Sequence, residues 1–132
     1  MGSIELEPTF ADKLRRVCRA EVGDKVRSVT HFTENDVEQI YLRSDLDRTA
    51  DLMGFAELER TGFRASEMYR NSELGAYEAT VRMFEHGYLT RVISGRHGVW
   101  VTTDSLSLNQ FEDLVSALKS ALATDPSEIE AK

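Results

Sequence analysis

Read for hydrophobic periodicity, the chain is a helix, two strands, a long helix, three strands and a final helix, joined by short connections. That order restricts it to a few α+β arrangements in which one sheet carries helices on both faces. The expected class is a single five-stranded antiparallel sheet of order αββαβββα. Its 132 residues fit one domain, placed at residues 9–123, with 1–8 and 124–132 as flexible tails.

The first helix is expected over residues 9–21. Thr9 stands at the N-cap with Asp12 three residues on, and Phe10, Leu14, Val17 and Cys18 share one apolar stripe. Gly23 suits the left-handed stop. Cys18 on that stripe reads as a small core residue. Strands are expected over 26–33 and 37–43, joined through Glu34, Asn35 and Asp36, whose polar turn chemistry makes a hairpin the natural pairing. In the second strand Glu38, Ile40 and Leu42 alternate with Val37, Gln39, Tyr41 and Arg43. Neither set is purely polar, so both faces of the sheet are expected to be covered.

Ser44 and Asp47 signal the start of a long helix over 45–69. Leu46, Ala50, Met53 and Glu57 form one ridge, and Leu52, Phe55, Ala56 and Glu59 a neighbouring one. Gly62 interrupts it, leaving 63–69 as a separate turn or a continuation. The apolar stripe is wide enough that one side of this helix is expected to meet a partner. Strands over 77–84, 88–94 and 99–103 follow as a meander. His86-Gly87 supplies the first turn, the glycine at positive φ, and Gly95-Arg96-His97-Gly98 the second. A last helix over 108–123 begins with a Ser107/Gln110 capping box and carries Leu108, Phe111, Leu114, Val115, Leu118 and Leu122 inward.

Charge narrows the environment. The net charge is −7, and only four of the 16 basic residues are lysines. An acid-rich, arginine-heavy surface fits a salt-adapted cytoplasm. It also works against non-specific binding to nucleic acid or anionic membranes. Residues 1–8 show no apolar signal segment, no apolar run reaches membrane-spanning length, and one cysteine permits no internal disulfide.

No spacing points to catalysis, a metal or a cofactor. His86 and His97 fall in turns at opposite ends of the meander, and His31 reads as a hydrogen-bonded sheet residue. Glu57, Glu59, Asp51 and Asp47, with Arg48 and Arg60, read as a solvated face with local ion pairs. Arg96 and His97 are the candidate loop contacts, able to hold an anion or a partner's carboxylate.

The element order resembles the roadblock/LC7 family of profilin-like folds over residues 9–123. In detail the sequence also resembles small proteins of salt-loving archaea, through Phe-Thr-Glu-Asn-Asp (32–36), Tyr-Leu-Arg-Ser-Asp-Leu (41–46), Thr-Gly-Phe-Arg-Ala (61–65) and His-Gly-Val-Trp-Val-Thr-Thr-Asp (97–104). The roadblock resemblance implies first and last helices on one sheet face, the central helix on the other, and dimers through the central helix and third strand. Mapped onto this chain, the implied dimer interface draws on Leu52, Phe55, Ala56, Glu59, Tyr77 and Ala79. The family's modules serve as scaffolds or regulators of small GTPases and motor complexes. The expectation is therefore a non-enzymatic interaction module that forms a homodimer, with a small GTPase or signalling protein as a further partner. The alternative is a small-molecule sensor holding a ligand between sheet and helix, in a cavity lined by Tyr41, Trp100 and Tyr77.

Overall fold

The computed structural model describes residues 9–47 and 55–123. Helix α1 (Phe10–Val22) starts where the Thr9 hydroxyl accepts from the Asp12 amide at 3.0 Å, and it ends at Gly23 with φ +59°. Leu14, Cys18 and Val22, four residues apart, fall on its buried side. A short 3₁₀ turn leads into β1 (Val26–Phe32), which pairs antiparallel with β2 (Val37–Leu42).

Three further strands, β3 (Ala79–Phe84), β4 (Gly87–Ser94) and β5 (His97–Thr103), form the meander, and β5 docks beside β1. The sheet order is β2-β1-β5-β4-β3 with every pair antiparallel, so β2 and β3 are its two edges.

One face carries α1 and the last helix, α4 (Leu108–Ala123). Ser107 and Gln110 cap α4 reciprocally, at 2.9 and 3.2 Å. Leu14, Cys18, Leu114, Leu118 and Leu122 meet Val29, Val92, Val99 and Val101 there in the larger core. The other face carries α2 (Ala56–Arg60) and α3 (Gly62–Met68) over a smaller core of Phe32, Leu89 and Trp100. Both faces are covered, and the helices divide between them as the resemblance implies.

Local departures have physical causes. The register slips between Val29 and Thr30, which pair with Tyr41 and Gln39, so Ile40 is bulged. Ile40 and Tyr41 consequently pack against the same core, where strict alternation predicts opposite faces. Residues 44–47 form a turn and bend, not the start of a helix, because Arg43 holds this corner. Its guanidinium donates to the carboxylates of Asp45 at 2.7 Å and Asp104 at 2.8 Å. The hydrogen bond from Arg43 holds the Asp45 carboxyl below its usual range.

The hairpin turns also shift by a residue. Glu85-His86 makes the β3–β4 turn, and Gly87 is already paired with Phe84. Gly87 is needed for proximity, since a Cβ there would overlap the Thr103 carbonyl oxygen. Gly95-Arg96 makes the β4–β5 turn with Gly95 at φ +62°, while His97 and Gly98 are strand residues. Among the described residues no helix is long and apolar enough to cross a membrane.

Candidate interaction face

Among the described residues strand β3 pairs with β4 alone, which leaves its outer row of backbone N–H and C=O groups without a strand neighbour. The side chains on it are unusual for such an edge. Val81, Met83 and Phe84 are 44%, 77% and 45% exposed. The opposite edge, β2, carries Glu38 and Gln39 between half-buried apolar residues. On the helix side of β3, the Phe84 ring lies 6.0 Å from that of Phe55, just before α2, and Leu58 of α2 stands exposed beyond it. Phe84 and Leu58 therefore form an apolar strip on the α2 side, while Val81 and Met83, alternating with Phe84, face the side that carries α4.

A charged cluster beneath the strip fixes helix to strand. Arg91 in β4 lies on the α2 side of the sheet and is 4% exposed; Glu59 of α2 is 1% exposed. Arg91 Nη1 donates to Glu59 Oε1 at 2.8 Å and to the Glu59 backbone carbonyl at 3.3 Å. Its Nη2 donates to the hydroxyls of Thr80 at 2.8 Å and Tyr77 at 3.0 Å, which also bond each other. The second carboxylate oxygen accepts from Arg82 Nε of β3 at 2.7 Å. Burying Glu59 and Arg91 costs several kcal/mol per ion, offset by the several directed bonds that each of these two makes, although Arg91 Nε has no partner among the described residues.

Gly62 makes this geometry possible. A Cβ at that position would stand 2.7 Å from Arg91 Nε and Nη1, and closer still to Cζ. The break between α2 and α3 thus brings bare backbone onto the face of the guanidinium. The interruption expected at Gly62 falls one residue earlier, at Thr61, and Gly62 opens α3 while leaving room for Arg91.

The expected interface residues separate in the structure. Phe55 and Ala56 turn inward, half-buried against Phe32, Leu89 and Trp100. Glu59, read as part of a solvated acidic face, is buried between two arginines and offers no surface. Leu52 lies outside the described residues. Tyr77 precedes β3, which begins at Ala79, and reaches the α2 side through Arg91, whereas Ala79 packs on the opposite core. Of the expected central-helix ridges, Phe55 and Ala56 face the core and the outward residues of α2 are Glu57 and Leu58, while residues 48–54 lie outside the described residues. Val81, Met83 and Phe84 stand on the third strand, which the sheet order makes an edge, and they are absent from the helical ridge pattern.

The ligand-cavity expectation is corrected too. Trp100 is fully buried against Phe32 and Phe63 packs on the same core, while Tyr41 lies on the other sheet face and accepts from Arg19 at 2.7 Å. Tyr41, Trp100 and Tyr77 do not line one cavity. An open cleft of about 910 Å³ lies instead between α3 and the sheet end, lined by residues including Phe63, Arg70, Tyr77, Arg96 and His97. Arg96 is exposed in its turn, and His97 turns toward His31. Cys18 is buried as expected, and burial pushes its thiol pKa up to about 12.

Residues 12–123 match the family model described as Domain of unknown function (DUF7522). No curated protein matches the sequence. The structure is similar to Myxococcus xanthus MglB, with 15% identity, 85% of this chain and 96% of that chain covered, and a TM-score of 0.55. It is similar to the gliding protein MglB from Thermus thermophilus, with 14% identity, 93% and 95% covered, and a TM-score of 0.64. It is also similar to a chain described as MglB with tetrameric arrangement, with 13% identity, 91% and 95% covered, and a TM-score of 0.60. The shared fold is roadblock/LC7-like.

Proposed function

The chain belongs to the family described as Domain of unknown function (DUF7522), and from that premise we propose that it is a non-enzymatic interaction or regulatory module acting as a homodimer joined through β3. The observation that carries this reading is the outer edge of β3, which has no strand neighbour among the described residues and has Val81, Met83 and Phe84 exposed along it. An exposed apolar edge is a template for strand addition, which natural proteins blunt with charge or cover. Pairing β3 with its own copy across a two-fold axis covers both edges and joins the two sheets into one. The cluster of Glu59, Arg82 and Arg91 supports the same reading, because it ties α2 to β3 and β4 beside the edge.

Beyond a second copy, the partner we propose is a small GTPase or signalling protein in a salt-adapted cytoplasm. The roadblock/LC7-like fold supports the first part, and the net charge of −7 with four lysines supports the second. The tagged protein, purified from its own cells at native salt, is expected to bring down itself together with a nucleotide-binding GTPase or a signalling protein. Recovery of itself alone removes that partner from the reading, and recovery as a lone monomer overturns the reading as a whole.

A further inference from the structure

Neither packed core nor the β3 edge accounts for two histidines at the end of the sheet where the β1–β2 and β4–β5 turns lie. His31 of β1 pairs across the ladder with Val99, so His97, two residues earlier in β5, is its diagonal neighbour on the α1 face. The two rings are stacked at 27° with centroids 5.0 Å apart, and His31 Nε2 lies 2.8 Å from His97 Nδ1. Phe10 of α1 packs against both rings, its centroid 5.3 Å from each.

A neutral imidazole has one N–H and one lone pair, so this contact needs one ring to donate to the other. Imidazole nitrogens are also good ligands for a divalent transition metal, and two this close can serve one ion. With Zn–N bonds of about 2.0–2.1 Å at a tetrahedral angle, the two nitrogens would stand roughly 3.3 Å apart. The observed nitrogens face each other almost head-on, so both rings must swing as well as open by about half an ångström to converge on an ion, and both are half-buried, with access to solvent.

We propose that His31 and His97 bind a borderline divalent transition-metal cation, Zn²⁺ above all, through Nε2 of the first and Nδ1 of the second. Among the described residues no three His, Cys, Asp or Glu side chains stand close enough to hold an ion together. The nearest carboxylate by register is Glu38, exposed on β2 directly opposite His31 and on the same face. Rotation of its side chain brings a third ligand, and water completes the shell. Such a site binds more weakly than a closed four-ligand structural site, and metal there clips β1 to β5 beside the α1 N-terminus.

The test is a Zn²⁺ titration of the chelator-treated full chain, followed by calorimetry and by imidazole ¹⁵N shifts. Saturable binding of one ion per chain is expected, with the ring nitrogens of His31 and His97 shifting and those of His86, exposed in its turn, unmoved. His31→Asn and His97→Asn should each weaken binding at least tenfold, and His86→Asn should not. Absence of saturable binding, shifts confined to His86, or undiminished binding in both variants overturns the proposal. The wild-type shifts decide the matter even if a variant folds poorly.

Discussion

The Glu59 carboxylate and the Arg91 guanidinium meet at 2.8 Å with both side chains almost wholly removed from water, one on the short helix α2 and the other in the body of the sheet. Breaking one side of such a pair leaves an uncompensated buried charge. Glu59→Ala should destabilise the fold by about 3–5 kcal/mol in urea unfolding. Arg82→Gln, whose arginine is partly solvated, should cost about 1 kcal/mol or less. Equal and small effects for the two substitutions would show that Arg91 finds other partners.

Gly62→Ala separates packing from helix propensity. Alanine is favoured over glycine inside a helix by about 1 kcal/mol. Here its Cβ would meet the guanidinium of Arg91, which four hydrogen bonds hold in place. The substitution should therefore destabilise, by about 1–3 kcal/mol. A rise in the urea midpoint would mean that Arg91 yields and the close approach is incidental.

Much of the fold was legible because it rests on local rules. Thr9, Gly23, the Ser107/Gln110 box and the stripe from Leu14 to Cys18 each act within a turn or two of helix, and the structure uses each as read. The site was less legible because its contacts are long-range. Nothing near Glu59 in the chain announces Arg91, 32 residues away and in another element. Arginine in a strand reads as solvated until the layer above it is known. The His31–His97 contact spans 66 residues and depends on β1 lying next to β5, a pairing that hairpin logic does not supply. The bulge at Ile40 is invisible to alternation, since one extra residue reverses every later side chain.

Cys18 gives a pH prediction of definite sign. Its folded-state pKa is raised from 9.0 to about 12 by burial. Between those values the unfolded chain loses the thiol proton and the folded chain keeps it, so this residue lowers stability as pH rises through the window. The slope tends toward about 1.4 kcal/mol per pH unit from this group. Cys18→Ala should remove that component of alkaline destabilisation, at the cost of a small cavity. An identical pH dependence above 9 in the variant would place the effect elsewhere.

The apolar edge gives the prediction on which the functional reading turns. Met83→Glu puts a carboxylate on the most exposed apolar residue of β3, where little in the protomer depends on it. Stability of the protomer should change by no more than about 0.5 kcal/mol. Self-association should weaken at least about 30-fold, equivalent to about 2 kcal/mol.

Sedimentation equilibrium of the whole chain and of Met83→Glu, at micromolar concentration and in high salt, measures this most directly. The wild type should sediment at twice its 14.9 kDa chain mass and the variant at the single-chain mass. A wild-type protein that stays monomeric, or a variant that dimerises as well as the wild type, would contradict the β3 edge as the joining surface.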